Sequence, residues 1–353
     1  MKNFFLVLCL SSLVLALPAS SETPQLQVAR LADGVYAILQ PFEARFNDAN
    51  SFIVVLGDDV LVVDTQYTPS SARAVLAKVH KLTDKPIRWV VNSHWHGDHA
   101  HGNQVYRDAF HGVQFIAHRN TREDMEKRAT PELREEVENG PQQIADAGKR
   151  LAAGVGHDGK PMTDEQKARL AKRIDVARQQ LAKFRQTEIV LPGLTFEDSL
   201  TLHDAGREVR ILHFTGHTRV VVVVYLLAEK ILFTGDLLDD LPYTGHCSPL
   251  ALVATLKALN QLDFDVIVPG HGGVKQGREH LLLVLAVFES LVEQVKAATC
   301  QGLSLEETKK NVDLERHREP LTRGQTNAVN AWNSFIPTAI ERAWQEATGK
   351  GTP

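Results

Sequence analysis

The spacing of hydrophobic residues changes twice along this chain, and each change predicts a different kind of structure. In the first third, short apolar runs alternate with polar turns, which is typical of β-strands. These runs predict strands at 35–39, 51–56, 60–63, 87–91 and 113–117. Between the third and fourth runs, residues 70–82 place apolar side chains at helical spacing and predict an amphipathic helix.

Residues 119–187 form a second region, in which Glu, Arg, Lys, Gln and Ala dominate and β-branched residues are few. This composition predicts helices at about 119–129, 131–152 and 163–186, interrupted at Pro131 and again before Pro161. Two roles stay open for such an insertion. It is either a solvated helical addition or a wall over a functional site, because insertions beside active sites commonly select substrates.

Beyond the insertion, strand patterns return and then give way to helices alone. Strands are predicted at 188–191, 199–203, 208–213, 220–227, 231–233 and 266–268, and helices at 248–262, 277–300, 304–311 and 322–347. We therefore expect one mixed α/β domain over residues 22–275, which contains the insertion. A helical C-terminal extension is expected to follow over residues 276–353.

Residues 1–21 resemble a secretory signal peptide. Lys2 provides the positive start, residues 4–17 the apolar centre, and Ala19-Ser20-Ser21 a cleavage site of small residues. The apolar run is shorter than the ~20 residues of a membrane-spanning helix. Cys9 lies inside this run rather than at its end, where a lipid-anchoring signal would place it. We expect export to the periplasm or secretion, without a stable membrane anchor.

The composition narrows the class of partner. The 353 residues carry a formal net charge of -4, with acidic and basic residues interspersed, which argues against nucleic-acid binding. A small-molecule substrate is the expected partner, and the sequence predicts no particular oligomeric state. Outside the leader, Cys247 and Cys300 can form one disulfide in an oxidising compartment or remain two free thiols.

The candidate chemistry starts where the strand at 87–91 ends. His94 and His96 are two residues apart, so on an extended segment they point the same way and can hold one ion. Gly97 then allows the backbone to bend, so that Asp98 and His99 can reach a second ion nearby. Three histidines and an aspartate at this spacing predict a metal site.

Three later strands repeat one design, in which an apolar run is followed by glycine and a metal-binding residue. The pairs are Gly216-His217, Gly235-Asp236 and Gly270-His271. Strand ends on one edge of a sheet converge in space. With the first cluster, these residues supply seven ligands, which is enough for two ions.

This motif series resembles that of the metallo-β-lactamase superfamily. The matching motifs are His94-x-His96-x-Asp98-His99, Gly216-His217-Thr218, Thr234-Gly235-Asp236 and Pro269-Gly270-His271-Gly272, with Asp64 upstream. The resemblance covers about residues 30–275. It implies an α/β (α+β) fold of four αββα layers, with two sheets packed face to face, helices outside and metals at one end.

The resemblance also implies roles for these residues. His94, His96 and His217 would hold one zinc ion; Asp98, His99 and His271 would hold a second; and Asp236 would bridge them. A zinc pair lowers the pKa of a shared water towards neutrality, which gives a hydroxide for attack on an acyl carbon. Asp98 would orient this hydroxide and take its proton, and Asp64 would hold the metal loop by hydrogen bonds.

The bridging position bears on the substrate. The β-lactamases of this superfamily generally have Cys or Ser where Asp236 stands, so the chain resembles the broader hydrolases that cleave esters, thioesters, lactones or amides and lactams. Three alternatives stay open. These are a β-lactamase proper, an iron-dependent oxidoreductase, and a metal-binding protein whose catalysis is reduced by Val220 and Val221, which replace the smaller residues that relatives usually carry there.

Two further residues are candidates for contacts around the metals. His101 lies three residues after Asp98 and could shuttle protons or contact substrate, or be a supporting or surface group. Tyr243 follows Asp236 in a loop and could donate a hydrogen bond to a developing oxyanion, or simply pack in the loop.

Overall fold

The computed structural model of the protein describes residues 25–41 and 48–350. The predicted signal peptide, residues 1–21, lies outside the described residues and stays a prediction. In these two described ranges, no helix is both long enough and apolar enough to cross a bilayer.

Two β-sheets form the centre of the fold. The first has seven strands in sequential order, antiparallel as far as the fourth strand and parallel beyond it. Its strands are β1 (Gln27–Ala32), β2 (Val35–Leu39), β3 (Ser51–Val55), β4 (Val60–Val63), β5 (Ile87–Val91), β6 (Gln114–His118) and β7 (Leu194–Phe196). The second sheet contains β8 (Ser199–Asp204), β9 (Arg207–Phe214), β10 (Val221–Leu226), β11 (Ile231–Phe233), β12 (Val266–Val268) and β13 (Lys275–Gln276). It is antiparallel except where β11 and β12 pair.

Helices cover the outer faces of both sheets. The first sheet is covered by α1 (Pro69–Val79) and α3 (Asn103–Ala109), and the short α2 (Gly97–Ala100) precedes α3. The insertion comprises α4 (Arg119–Asp124), a π-helical turn (Met125–Ala129), α5 (Thr130–Ala153) and α6 (Asp164–Phe184). After a 3-10 turn (Gly235–Leu237) come α7 (Pro249–Leu259), α8 (Glu279–Cys300), α9 (Leu305–Asn311), α10 (Glu315–Thr322) and α11 (Thr326–Ala347).

Two of these helices begin with the same local device. Thr68 precedes Pro69, and Ser248 precedes Pro249, at the starts of α1 and α7. Each hydroxyl accepts a hydrogen bond from a backbone N–H three residues later, at 3.2 Å. Proline fits the next position because the N–H it lacks would have no partner in the first turn of a helix.

The valine run in β10 explains how the four layers are held together. Every residue of this strand is buried, because β10 lies in the middle of its sheet and both faces are covered. Val222 and Val224 face the other sheet, where Phe52 of β3 stacks on Phe233 of β11 with ring centroids 5.8 Å apart. Val223 faces outward into the layer of α7, α8 and α11. The predicted four-layer αββα sandwich is confirmed.

The insertion has a small apolar core of its own. Helices α5 and α6 pack against each other through a cluster separate from the cores of the sandwich. The cluster consists of Ile144, Ala147, Ile174, Ala177 and Leu181. The long helices of the insertion therefore form a hairpin with internal packing.

Two of the sequence-based assignments are wrong. Residues 188–191 form no strand, because Ile189 and Leu191 are used in packing beside Trp95, and β7 begins only at Leu194. Pro131 does not interrupt the helix that contains it. A π-helical turn precedes it, and both the backbone N–H and the hydroxyl of Thr130 donate to the carbonyl of Met125. The widened turn accommodates the proline without a break.

Several of the described elements were not predicted, among them β1, α2, α3, α10 and the two-residue β13. The edge strand β1 is largely exposed and lacks a strong apolar pattern, and the helices α3 and α10 are short. Of the two alternatives for the cysteines, the structure has free thiols, with Cys247 buried and Cys300 exposed at the end of α8.

Candidate metal centre

The candidate metal centre lies where five strands end at one edge of the sandwich. Strand β5 leads into a segment that carries His94 and His96 and then, in α2, Asp98 and His99. Strand β4 ends immediately before Asp64. Strands β9, β11 and β12 of the second sheet each end just before a further candidate ligand. These are His217, Asp236 and His271. Both sheets therefore contribute to one site, as expected from the strand-end motifs.

One group of ligand atoms comes from the three histidines His94, His96 and His217. Nδ1 of His96 lies 2.9 Å from Nε2 of His94 and 3.1 Å from Nε2 of His217. Oδ2 of Asp236 lies 3.4 Å from Nε2 of His217 and 3.8 Å from Nε2 of His94. Ligands ~2.0–2.1 Å from one tetrahedral zinc lie about 3.3 Å apart. The spacing of these four atoms fits one such ion.

A second group lies beside the first. Oδ2 of Asp98 is 3.0 Å from Nε2 of His271 and 3.5 Å from Nε2 of His99. Asp236 reaches this group as well, because its Oδ1 is 3.1 Å from Nε2 of His99. The seven side chains predicted from the sequence are therefore brought together, with Asp236 between the two groups.

The chemistry of these atoms fits a bound cation. Among the residues that the structure describes, Nε2 of His99 and Oδ1 of Asp236 are buried without a hydrogen-bond partner, although they face each other. Buried polar atoms normally have such a partner, and a metal ion satisfies both an imidazole nitrogen and a carboxylate oxygen. The donor set contains imidazoles and carboxylates and no thiolate, which suits zinc.

His99 and His271, which lie next to Asp236, differ from His94 and His96 in the direction of their pKa shifts. Burial lowers the pKa of His94 and His96 well below the usual imidazole value, which keeps both rings neutral and able to bind metal. Burial also acts to lower the pKa of His99 and His271. The negative charge of Asp236 and other nearby carboxylates outweighs this effect and raises the pKa of both rings well above its usual value.

The carboxylates respond in the opposite direction. Burial acts to raise the pKa of Asp98 and Asp236, but the neighbouring imidazoles, His99 first, hold both pKa values below the usual range. Two ionised carboxylates therefore face two protonated imidazoles at the centre. A metal cation can replace the protons that His99 and His271 otherwise hold there.

Asp64 contacts the metal loop, which comprises residues 92–99, through His99 and Ser93. Its Oδ2 lies 2.7 Å from Nδ1 of His99, and its two oxygens accept hydrogen bonds from the backbone N–H and the hydroxyl of Ser93, both at 2.7 Å. The backbone of Asp64 has φ of 62°, in the left-handed region that is unusual for a residue other than glycine. Such strain persists where the surroundings enforce it, often at functional sites.

Small residues allow the strands to approach the ligands closely. A Cβ atom at Gly270 would lie 2.0 Å from Oδ1 of Asp236, so only glycine fits there. Gly235 has φ of 50°, and a Cβ there would lie 3.2 Å from a methyl carbon of Val221. Val220 and Val221 are buried behind the centre, and the candidate ligands still converge in front of them.

The two other candidates occupy different surroundings. His101 is buried and stacks on Tyr67 with ring centroids 5.5 Å apart, and neither ring nitrogen has a hydrogen-bond partner within the described ranges. Tyr243 is 40% exposed, and its ring centroid is 6.1 Å from those of His96 and His217. Tyr243 therefore lies beside the metal centre, and His101 lies within the wall next to Asp98.

The insertion forms part of this wall. Met125 and Ala129 of the π-helical turn pack against Trp95 in the metal loop, and the guanidinium carbon of Arg128 lies 4.2 Å from the centroid of the Trp95 ring. At the end of α6, Phe184 contacts Tyr67 edge-on, with centroids 4.9 Å apart. The insertion is thus packed against the candidate site rather than only solvated.

Arg219 anchors the insertion to the connection between β9 and β10, which carries His217. Its Nε donates to Oδ2 of Asp124 at 2.7 Å, and its terminal nitrogen donates to Glu123 at 2.8 Å. In the sequence, Arg219 is simply the residue before the valine run. Its partners lie 95 residues away along the chain, and no local pattern indicates them.

Sequence reasoning missed His246. Its Nδ1 lies 2.8 Å from Nε2 of His96, the ring nitrogen that points away from the ligand group. It also missed Asp239, whose Oδ1 accepts a hydrogen bond from the backbone N–H of His271 at 2.8 Å. Both residues lie in the loop after Asp236. Their position in this loop was the only available signal, since neither is adjacent to a strand end.

Comparison with protein-family models gives a match to the metallo-beta-lactamase superfamily over residues 44–271. A curated relative is the linear primary-alkylsulfatase of Pseudomonas sp. (strain ATCC 19151), which is 26% identical over 305 residues. The match covers 83% of this chain and 54% of that protein, so the chain spans about half the length of this relative.

Solved structures share the fold at lower sequence identity. The stereoselective inverting sec-alkylsulfatase Pisa1 from Pseudomonas sp. aligns with a TM-score of 0.63 at 18% identity, over 91% of this chain and 50% of that one. A metallo-beta-lactamase from Pontibacter korlensis aligns with a TM-score of 0.52 at 18% identity, over 75% of this chain and 99% of that one. These comparisons bear out the predicted fold and the predicted superfamily of hydrolases.

Proposed function

Because this chain belongs to the metallo-β-lactamase superfamily, we propose that it is an exported hydrolase that holds two zinc ions and cleaves a small-molecule ester. The observation that carries the proposal is the convergence of the seven imidazole and carboxylate side chains into two adjacent groups that share Asp236. The spacing of their atoms suits two neighbouring ions, and the donor set suits zinc. The signal-like sequence of residues 1–21 supports export.

A zinc pair would supply Lewis acidity, both to activate a water and to stabilise negative charge on the ester. Asp98 has the features of the residue that orients this water. Its pKa is held low by His99 and His271 against the effect of burial, so it is ionised at neutral pH. Its side chain is 22% exposed, against 6% for Asp236, so it can accept a hydrogen bond and a proton from a water in the site.

Sulfate esters of alkyl alcohols are the first substrate class that we propose. The similarity to a linear primary-alkylsulfatase supports this choice over the carboxylic esters, thioesters, lactones and lactams that the motifs alone allow. A sulfate ester is anionic, and positive charge is available nearby. The pKa of His246 is lowered to about 3, by burial first and then by the cations Arg128 and Arg342 and by His217. These arginines lie on the insertion and on α11.

The test is a substrate panel on zinc-loaded protein. A short primary alkyl sulfate such as octyl sulfate would be compared with a carboxylic ester, a thioester, a lactone and a β-lactam. We expect water to be added across the sulfate ester, so that octanol and sulfate are released in equal amounts. Turnover of another class without octyl sulfate would contradict the sulfate proposal and leave the hydrolase proposal standing.

A matched pair of variants tests the assignment of the site. Asp98→Asn removes the proposed proton acceptor and should abolish turnover of the active substrate. Asp33→Asn makes the same change at an exposed residue in the turn between β1 and β2 and should leave turnover unaltered. If protein with two bound zinc ions hydrolyses no member of the panel, the proposed function is wrong.

A further inference from the structure

His246 lies against the imidazole of His96 on the side away from the other candidate ligands. His96 directs Nδ1 towards His94 and His217, and this leaves Nε2 to face Nδ1 of His246 at 2.8 Å. The two ring centroids are 5.0 Å apart. His246 also packs beside Trp95 and Tyr243, with centroids 5.2 and 5.9 Å away.

The direction of this hydrogen bond follows from the chemistry of imidazole. A histidine that binds a metal through Nδ1 carries its proton on Nε2. Nε2 of His96 is then the donor, and Nδ1 of His246 must be the acceptor. Ligating histidines commonly have such a partner, which fixes the ring orientation and the tautomer. Asp64 occupies the equivalent position for His99, at 2.7 Å.

The loop that carries His246 is held by the last helix of the chain. The hydroxyl of Thr244 donates to the carbonyl of Phe335 at 2.7 Å, and the rings of Tyr243 and Phe335 are 5.5 Å apart. About two turns further along α11 than Phe335, Arg342 donates to the carbonyl of Gly245. At the end of the loop, the hydroxyl of Ser248 bonds to Glu346. These contacts flank His246 on both sides.

We propose that His246 is a positioning residue for His96, and that α11 forms part of the metal centre because it holds His246 in place. The proposal rests on the proposed function only in taking His96 as a metal ligand. The proposal predicts different effects for the two supporting residues. Loss of the acceptor at position 246 weakens one of the two metal sites, whereas loss of Asp64 weakens the other.

Two substitutions at position 246 provide the test. His246→Leu introduces an apolar side chain of similar size and removes the acceptor. His246→Asn restores it, because the amide oxygen, like Nδ1, is bonded directly to Cγ. Competition with a chromophoric chelator resolves two zinc dissociation constants per chain. We expect His246→Leu to raise one of them about 10–100-fold, the usual effect of losing such a partner. His246→Asn should stay close to the wild-type value.

Further variants separate positioning from general destabilisation. Arg342→Met keeps His246 but removes one anchor from α11, and should raise the same dissociation constant by a smaller factor. Asp64→Asn should raise the other constant. His203→Leu replaces an exposed histidine on β8 and should change neither. Circular dichroism melts of the metal-free proteins would show that each variant folds.

A spectroscopic signature distinguishes this role from simple packing. In zinc-loaded protein, the Nε2 proton of His96 should give an exchange-protected imidazole resonance that is present in His246→Asn and absent in His246→Leu. Wild-type zinc affinity in His246→Leu would overturn the proposal, whatever Arg342→Met shows. Equal loss of affinity in His246→Leu and His246→Asn would overturn it as well. These outcomes are measured without substrate, so they are independent of whether alkyl sulfates are hydrolysed.

Discussion

The carboxylate of Asp64 and the imidazole of His99 are joined by a contact of 2.7 Å between Oδ2 and Nδ1, and both side chains are fully buried. The carboxylate lies just after β4, and the imidazole belongs to the short helix α2 that follows β5. Burial raises the pKa of Asp64 overall, although the neighbouring His99 acts to lower it. The pair connects the two central strands of the first sheet beneath the candidate ligands.

We predict that Asp64→Asn lowers zinc affinity at the group that contains His99 by about 10–100-fold, because the amide cannot accept the same set of hydrogen bonds. Zinc titration of the variant would measure this loss. Asp33→Asn, at an exposed position, serves as the matched control. Unchanged affinity in Asp64→Asn would show that the contact does not support the site.

His96→Ala removes a candidate ligand from the other group. We expect hydrolysis to be abolished and the zinc content of purified protein to fall by about one ion per chain, since that ion would keep only part of its ligand set. His96 is partly exposed and lies in a loop, so the fold should persist, as circular dichroism can show. Wild-type rates in His96→Ala would refute the catalytic assignment.

Arg219→Gln should loosen the insertion. The change leaves the carboxylate of Asp124, which is 7% exposed, without its charged partner. Leaving a buried acceptor unpaired costs about 1–3 kcal/mol of unfolding free energy. Hydrogen exchange should increase in residues 119–129, and KM for the substrate should rise without a change in zinc content. Arg210→Gln, which removes a more exposed pair with Glu208, is the control and should have little effect.

Glu136 in α5 should make stability depend on pH. Burial, together with Glu132 and Glu135, raises the pKa of Glu136 from 4.5 to about 7. Between these two values the folded protein holds a proton that the unfolded chain has released, so stability falls as the pH rises through this window and levels off above it. Glu136→Gln should therefore melt at a higher temperature than the wild type at pH 8. The gain should be smallest at pH 4, and an equal gain at both pH values would contradict this origin.

The sequence pattern predicted the strands and the convergence of the candidate ligands, and the resemblance of the motifs to a known superfamily implied the four layers. Each ligand motif follows an apolar strand, and strand ends at one edge of a sheet meet in space whatever the exact lengths of the connections. The valine run likewise predicted the strand β10. A strand in the middle of a two-layer core has apolar neighbours on both faces.

The supporting contacts could not be predicted, because they depend on tertiary packing. His246 lies in a loop whose contacts come from α11, since Thr244 bonds to Phe335, 91 residues further along the chain. Likewise Arg219 meets Asp124 across the boundary between insertion and sandwich. The error at residues 188–191 has the same cause, since a short apolar run can be buried without joining a sheet.

Because the apolar cluster between α5 and α6 is separate from the cores of the sandwich, the sequence of this hairpin can change independently of the sheets. A helical hairpin with its own apolar core can be shortened, lengthened or replaced without disrupting the two sheets. Within residues 25–41 and 48–350, the base of this insertion contacts the surroundings of the candidate metal centre at the π-helical turn and at Phe184. Sequence changes in this hairpin can therefore reshape the wall of the candidate site while the seven candidate ligands stay in place.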